Sequence, residues 1–329
     1  MDATARANPK TSPVTLDDIY AARQIVARTL GRTPLLRHPL LDAETGLSIY
    51  VKHENHNPTS AFKVRGGLNL VARLSADERR GVITATTGNH GQSIAMACQR
   101  EGVPCTIFVP RGNNPEKNAA MRAYGATLQE VGRDFDEARE QAEALQQKTG
   151  LRYVHSANEP HLIAGVATYA LEIFEDLPDV EVILVPIGGG SGACGCALVR
   201  SFTGSRAEVI GVQAAAADAF TASWRSGARV TRDRIATFAE GMATRVTFDL
   251  TFSILREHLD DIVTLDEDEL KEGVRVALRT THNLAEGAGA ASLAAAIKLR
   301  DRLRGRKVVC VMSGGNIDRA TLTGILSTP

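Results

Sequence analysis

Short apolar segments of strand length alternate with helical segments along most of this chain, and glycine-rich turns join many of them. Residues 82–86, 105–110 and 181–186 are apolar runs of this kind, and each precedes a predicted helix. Strands that are connected through helices pair in parallel, and a parallel sheet is covered by helices on both faces. The alternation therefore predicts an α/β fold with parallel-rich sheets, and ligands at the carboxyl ends of the strands.

The same alternation gives a coarse map of the elements. Thr15 with Asp18 forms a capping-box pattern at the first helix, and Asn114 with Pro115 is typical of a helix start. The predicted strands are residues 47–52, 82–86, 105–110, 127–131, 152–155, 181–186, 208–212, 261–264 and 307–312. The predicted helices are residues 15–30 and 63–74, one from 88, one from 114, one ending near 147, 160–174, one from 193, 215–224, 267–280 and 288–302.

Size and charge restrict the partners of the chain. It has 329 residues, and its 38 Lys and Arg residues balance 38 Asp and Glu residues. This length indicates one large or two tightly joined α/β domains. Because no basic excess is present to bind a phosphate backbone or anionic lipid, we expect a small-molecule partner, no nucleic acid and no membrane.

The ends and the cysteines point to an ordinary cytoplasmic protein. Residues 1–14 are polar and predict a loose tail, not a signal peptide, and no apolar run reaches the ~20 residues of a spanning helix. None of the five cysteines forms a C-x-x-C pair, so we expect reduced, buried thiols. The spacing of Cys194 and Cys196 does not suit a zinc site, and no metal is predicted.

A glycine-rich turn follows the strand predicted at residues 181–186 and precedes a helix. Glycines let the backbone approach an anion, and N–H groups at a helix start supply donors and partial positive charge. The turn suits phosphate binding, although a tight strand-to-helix connection explains it equally well. No Gly-Lys-Ser/Thr follows, which excludes a Walker loop. Its residues are Gly188, Gly189, Gly190, Ser191 and Gly192.

Lys63 stands between Phe62 and Val64 at the start of a predicted helix. Desolvation by apolar neighbours favours the neutral amine, which is the form that condenses with an aldehyde. Taken alone, a lysine at a helix start is more often a solvated surface charge. Whether Lys63 binds a cofactor is therefore decided only together with the other sequence motifs.

A second turn runs from Thr86 to His90, where a strand ends in hydroxyl groups and a helix begins after Gly88. The free amides of such a helix start, with the hydroxyl of Thr86 or Thr87, suit a substrate carboxylate. Asn89 and His90, each taken singly, are also explained as side chains that satisfy loop backbone groups.

Two further residues occupy similar turns. Ser313 follows the apolar run 307–312, and Glu286 stands at a predicted helix entrance. A serine hydroxyl hydrogen-bonds a pyridine nitrogen without protonating it, whereas an aspartate would keep that nitrogen cationic. The alternative for Ser313 is a simple turn hydroxyl.

Taken together and in this order, these elements resemble the serine/threonine dehydratases, which are fold-type II, tryptophan-synthase-β-like pyridoxal-phosphate enzymes. The resemblance covers residues 15–326. It implies two lobes with pyridoxal 5'-phosphate in the cleft between them, and a homodimer. The large lobe would consist of residues 1–76 and 159–329, and the small lobe of residues 77–158.

The resemblance also implies a role for each matched cofactor residue. Lys63 would hold the cofactor as a Schiff base, Phe62 would lie against the ring, and Asn89 would hydrogen-bond the ring hydroxyl. The turn of Gly188 to Gly192 would bind the phosphate. Ser313 would face the pyridine nitrogen, with Glu286 nearby.

The implied reaction is α,β-elimination of water from a threonine- or serine-like β-hydroxy amino acid, which gives a 2-oxo acid and ammonia. Thr86, Thr87, Asn89 and His90 would bind the substrate, and Lys63 would be the Cα base, with Thr87 a second catalytic candidate. A neutral pyridine nitrogen stores less negative charge than a protonated one, which favours elimination over transamination.

Some residues depart from the family pattern. Thr87 stands where serine racemases of the family carry serine, which weakens the case for racemisation. Ala61 and the Thr87 motif are similar to a dehydratase branch associated with hydroxyectoine utilisation. Metal-activated relatives have two carboxylates where this chain has only Asp218, so no Mg²⁺ or Ca²⁺ site is expected. His53 and His56 replace apolar residues, and either line the pocket or are satisfied loop histidines.

Several activities stay open at this point. The β-hydroxy substrate is undetermined, so phenylserine or hydroxyaspartate dehydratase, serine racemase and β-replacement synthase are alternatives. A silent cofactor-binding protein is a further alternative, against which intact Lys63 and Ser313 argue. Because the sequence stops at Pro329, no isoleucine-regulated domain is expected.

Overall fold

A computed structural model describes residues 12–327, and residues 1–11 of the predicted N-terminal tail lie outside them. The strands are β1 Leu35–Arg37, β2 Ser48–His53, β3 Val82–Ala85, β4 Cys105–Val109, β5 Thr127–Glu130, β6 Arg152–Tyr153, β7 Val182–Pro186, β8 Glu208–Ala214, β9 Asp261–Leu265 and β10 Lys307–Met312. The helices are α1 Leu16–Val26, α2 Pro39–Thr45, α3 Lys63–Val71, α4 Asn89–Glu101, α5 Pro115–Ala123, α6 Phe135–Thr149, α7 Pro160–Asp176, α8 Ser191–Thr203, α9 Ala219–Ser226, α10 Asp249–His258, α11 Glu267–Thr281, α12 Gly287–Lys298, α13 Arg300–Leu303 and α14 Arg319–Ser327.

The described strands form two sheets. The large sheet has the order β1-β2-β10-β7-β8-β9, and the small sheet has the order β5-β4-β3-β6. Every pairing is parallel except that of the edge strand β1 with β2. The predicted α/β class with parallel-rich sheets is therefore confirmed. The lobe boundaries at 76/77 and 158/159 stay a prediction.

Helices cover both faces of the large sheet. Successive strand residues point to opposite faces, so Ile183 and Val185 join the core that contains α7 and α8, while Val182 and Leu184 join the core that contains α12. All five cysteines are buried free thiols, as expected. Among residues 12–327, no helix is long and apolar enough to cross a membrane.

The two helix caps that the sequence predicts are confirmed, whereas the bounds of several predicted elements differ from the structure. The Thr15–Asp18 capping box and the Asn114 cap before Pro115 are both present. Helix α1 ends at Val26 instead of residue 30, and the helix predicted at 215–224 is a 3-10 turn followed by α9. Strand β1 and helices α2, α10 and α14 were not predicted from the sequence. Strand β1 has three half-buried or exposed residues and therefore gives no period-two pattern.

A buried cluster of four charges holds the start of α3 in place. The Arg65 guanidinium donates to both oxygens of Glu54, at 2.8 and 2.9 Å, and to both oxygens of Glu172, at 2.7 and 3.0 Å. Lys52 Nζ donates to Glu172 at 2.6 Å and to the Thr33 carbonyl at 2.8 Å. The side chains of Arg65, Lys52 and Glu54 are all 0% exposed. The two positive charges balance the two negative ones within the protein.

Replacement of Arg65 by Met should destabilise the fold by about 3–5 kcal/mol, because two buried carboxylates lose their main partner. Denaturant unfolding of the cofactor-free protein measures this change without a contribution from bound ligand. Arg133→Met is the matched control, since Arg133 is 89% exposed and pairs with Glu137, four residues further along the chain. Its unfolding midpoint should match the unmodified protein. Equal midpoints for both variants would show that the cluster does not stabilise the fold.

Candidate active site

One cavity of about 510 Å³ opens between the two sheets, at the carboxyl ends of their strands. Turns that follow β3, β7 and β10 meet there, together with the starts of α3 and α12. Every residue to which the sequence assigned a site role lines this cavity: Phe62, Lys63, Thr86, Thr87, Asn89, His90, Gly188, Gly189, Gly190, Ser191, Gly192, Glu286 and Ser313.

Lys63 is the first residue of α3 and points its amine into the cavity. Its Nζ donates to the Ser156 carbonyl at 3.2 Å and to Ser191 Oγ at 3.1 Å. Burial away from water lowers the pKa of Lys63 to about 8. The Phe62 N–H donates to the Ser313 carbonyl at 3.0 Å, so the Lys63 turn is tied to the turn after β10. The amine thus lies beside the glycine-rich turn and is easily made neutral.

The glycine-rich turn forms a cradle with no room for side chains. Gly190 has a φ of +93°, which is a left-handed conformation, and α8 begins at Ser191, two residues earlier than predicted. A Cβ on Gly188 would lie 2.0 Å from the Gly241 carbonyl oxygen. The first N–H groups of α8 have no partner within the helix and therefore suit an anion.

The Thr86 to His90 turn is held by its own side chains. Thr86 Oγ1 accepts a hydrogen bond from Gly88 N at 3.0 Å, and His90 Nε2 lies 2.9 Å from Thr84 Oγ1. His90 is buried, and burial lowers its pKa to about 3, so the ring is neutral at pH 7. The side chains of Thr86 and His90 fix the turn. Thr87 and Asn89, the first residue of α4, line the cavity together with them.

A hydrogen-bonded row of three polar side chains connects the start of α4 to the turn after β10 and the start of α12. Asn89 Nδ2 donates to Glu286 Oε1 at 2.7 Å, and Asn316 Nδ2 donates to Asn89 Oδ1 at 2.8 Å. Burial raises the pKa of Glu286 above its ordinary value. The buried Ser313 Oγ makes a long hydrogen bond of 3.4 Å to the Ala288 carbonyl. Its hydroxyl is therefore only weakly engaged within the protein.

His53 and His56 lie outside the cavity lining. His53 Nε2 lies 2.9 Å from His38 Nε2, and the His53 ring stacks on His56 with centroids 4.7 Å apart. His56 Nε2 lies 2.6 Å from Asn283 Oδ1. The pocket-lining alternative is wrong, and both residues are satisfied histidines.

Asp218, the single carboxylate that remains of the pattern of metal-activated relatives, is engaged within the protein. Its two carboxylate oxygens accept hydrogen bonds from the Arg232 guanidinium at 2.7 and 2.8 Å. This ion pair lowers the pKa of Asp218. The carboxylate thus has a cationic partner from its own chain.

A family model described as pyridoxal-phosphate dependent enzyme matches residues 26–314. The chain belongs to this family. This pyridoxal-phosphate enzyme is 41% identical to the L-threonine ammonia-lyase of Thermotoga maritima, over 93% of this chain and 76% of the relative. It is 34% identical to the L-threonine dehydratase catabolic TdcB of Escherichia coli (strain K12), over 95% and 96%. The solved structure of a threonine deaminase from T.th. has a TM-score of 0.87 and 34% identity, and 92% of this chain and 99% of that one are covered.

These likenesses confirm the predicted family, fold and cofactor. The geometry fits pyridoxal phosphate independently of them. A buried amine of lowered pKa suits an aldehyde, and the cradle at the start of α8 suits a phosphate. The weakly engaged Ser313 hydroxyl suits a ring nitrogen that stays unprotonated.

Sequence reasoning missed three polar residues at the site. Asn316 orients Asn89, and the Ser156 carbonyl receives the amine of Lys63. Lys117 also lines the cavity, although its sequence context is that of an ordinary helix surface. Only Asn316 had a usable signal, because it follows Ser313 in the same Gly-containing turn.

The rate at which the cofactor-free protein captures pyridoxal phosphate should rise with pH and level off above about pH 8. Lys63 must lose its proton before its amine attacks the aldehyde, and burial has already lowered its pKa to about 8. Stopped-flow absorbance across pH 6 to 11 measures the midpoint. Nα-acetyl-lysine is the control and should give a midpoint near the ordinary value of about 10.4. A protein midpoint at that same value would mean that Lys63 is solvated.

Proposed function

We propose that the chain is a pyridoxal-phosphate-dependent dehydratase, an ammonia-lyase that converts a threonine- or serine-like β-hydroxy amino acid to a 2-oxo acid and ammonia. The carrying observation is that the Lys63 amine donates to Ser191 of the anion cradle, while the backbone beside it, at Phe62, is bonded to the Ser313 turn in the same cavity. Relatives named L-threonine ammonia-lyase and L-threonine dehydratase support the same reaction.

When bound, pyridoxal phosphate supplies an electron sink for the charge that develops at the substrate Cα. Lys63 would hold the cofactor and, when released, accept the Cα proton at Nζ, a task that suits a base with a pKa of about 8. The turn of Gly188 to Gly192 would hold the phosphate through backbone N–H groups. Phe62 would pack against the ring, and Ser313 would bond the ring nitrogen without protonating it.

Asn89 has two proposed partners, the ring hydroxyl of the cofactor and the substrate. Its amide is oriented by Glu286 and Asn316, so it cannot rotate freely. The substrate carboxylate would lie on the amides at the start of α4, with help from the Thr87 hydroxyl. Neutral His90 would act through its backbone N–H and through its bond to Thr84.

The remaining assignments concern the whole molecule. We propose a large lobe of residues 1–76 and 159–329 and a small lobe of residues 77–158 that close on substrate. The small sheet, which spans residues 82–153, supports this division. A homodimer and a cytoplasmic location are proposed as well.

Lys63→Ala should abolish both bound-cofactor absorbance and release of 2-oxo acid, because the tether and the proposed base are lost together. The assay follows oxo acid and ammonia from L-threonine, L-serine, threo-3-hydroxyaspartate and threo-phenylserine without any second nucleophile. We expect turnover of L-threonine or L-serine by the unmodified enzyme, and unchanged turnover in Lys298→Ala, whose lysine lies on the surface beside Glu269. Turnover only with an added nucleophile would indicate a β-replacement synthase, and bound cofactor with no turnover would indicate a silent binding protein.

Thr87 separates a dehydratase from a racemase. Its β-branch restricts the rotamer of the hydroxyl, so we expect negligible D-serine from L-serine. Thr87→Ser should raise D-serine relative to pyruvate, whereas Thr87→Ala should retain elimination within about tenfold, below the usual general acid–base contribution. Chiral chromatography of the reaction mixtures measures both products. Abundant D-serine from the unmodified enzyme, or loss of elimination in Thr87→Ala, would assign Thr87 an essential catalytic role.

A further inference from the structure

One lysine side chain reaches across the cleft and buries its ammonium group there. Lys117 lies on α5, among the helices of the small sheet, and its Nζ is 2.5 Å from Glu240 Oε2. Glu240 begins the 3-10 turn Glu240–Met242, whose Gly241 packs against the glycine-rich turn after β7. The Lys117 side chain is 10% exposed and that of Glu240 is 44% exposed. The pair therefore connects the two sides of the cavity.

The ammonium also lies beside the turn proposed to hold the substrate carboxylate. A Cβ on Gly88 would meet Lys117 Cδ at 3.2 Å and Lys117 Nζ at 3.9 Å. Gly88 directly precedes Asn89, the first residue of α4. A carboxylate on the amides that begin α4 would therefore have Lys117 as a neighbouring positive charge.

Three carboxylates on the far side lie near Lys117, those of Glu240, Glu286 and Asp318. Burial raises the pKa of Glu286, the positive charge of Lys117 opposes this rise, and the neighbouring Glu240 carboxylate adds to it. Glu286 is already engaged with Asn89, so Glu240 is the direct partner of the ammonium. If the proposed lobes moved apart, Lys117 and Glu240 would separate, because they lie on opposite sides of the cavity.

A buried ammonium is stable only with an anion beside it, since its desolvation is otherwise uncompensated. Glu240 is the direct counter-charge of Lys117 in this structure. A substrate carboxylate would add a second anion next to the same ammonium and so would favour the closed arrangement. No comparable gain is available to a substrate that lacks the carboxylate charge.

We propose that Lys117 is a positioning residue that selects substrates with a free α-carboxylate and couples their binding to closure of the cleft through Glu240. The inference rests on the proposed function, because it assigns the carboxylate to the turn before α4. Lys117 transfers no proton in this scheme. It places the carboxylate, and with it the substrate Cα, opposite Lys63.

The test compares L-threonine with L-threoninamide, which has the same side chain and no carboxylate charge, by ammonia release in the loaded enzyme. Lys117→Met should raise KM for L-threonine at least tenfold while kcat stays within about threefold. The preference for L-threonine over the amide should fall at least tenfold, and Lys117→Arg should restore part of it. Glu240→Gln should raise KM for both compounds, because it weakens closure and leaves the cation in place. Lys271→Met, on the surface of α11, is the control and should match the unmodified enzyme.

An unchanged preference in Lys117→Met, with a circular-dichroism spectrum and Tm like those of the unmodified enzyme, would overturn the inference. If the Lys117→Met variant does not fold, Glu240→Gln decides, and an unchanged KM for L-threonine in that variant would overturn the inference as well. Binding of L-2-aminobutyrate, which lacks the hydroxyl group to be eliminated, is followed through the absorbance of the loaded protein. If L-threonine is not turned over but this binding still requires Lys117, the proposed reaction fails and the inference stands.

Discussion

A buried cluster of four charges fixes the helix that carries the reactive lysine. Lys52, Glu54, Arg65 and Glu172 come from β2, the turn after it, α3 and α7, and they bond one another at 2.6 to 3.0 Å. Because loss of one partner leaves a buried charge uncompensated, such a cluster tolerates little change in geometry. Because Arg65 is two residues from Lys63, the orientation of α3, and with it the aim of the Lys63 amine, depends on these bonds.

The close approach of backbones at glycines is the second constraint on the site. A Cβ on Gly289 would lie 1.9 Å from the Gly314 carbonyl oxygen, and one on Gly188 would lie 2.0 Å from the Gly241 carbonyl oxygen. These contacts join α12 to the turn after β10 and join the turn after β7 to the Glu240–Met242 segment. The glycines therefore bring together turns that are distant in sequence, besides leaving room for a phosphate.

Burial also sets the charges of the cavity. It lowers the pKa of Lys63 to about 8 and that of His90 to about 3, and it raises the pKa of Glu286. Each shift favours the neutral form of the group. The amine is thereby prepared for attack on an aldehyde, and Lys117, paired with Glu240, is the buried cation beside the turn before α4. Burial away from water is thus a property that the proposed cofactor lysine, Lys63, shares with the proposed carboxylate-selecting lysine, Lys117.

The sequence by itself determined the features that have local signals. Apolar periodicity specifies parallel βα units, glycines and hydroxyl residues mark the turns at strand ends, and the Thr15 and Asn114 caps mark helix starts. The residues that were assigned a site role follow strand ends or begin helices, and all of them line one cavity. The weak or short elements β1, α2, α10 and α14 had no such signal.

Only the tertiary structure decided which side chains are partners. Asn316 bonds Asn89 across 227 residues of sequence, and Lys117 meets Glu240 across 123. These pairs depend on strand order, which places β10 between β2 and β7. Every parallel βα unit has the same local pattern wherever its strand stands in the sheet, so periodicity cannot fix that order. Local sequence patterns identified the candidate residues of the site, whereas the hydrogen bonds and ion pairs between their side chains depend on how distant segments pack.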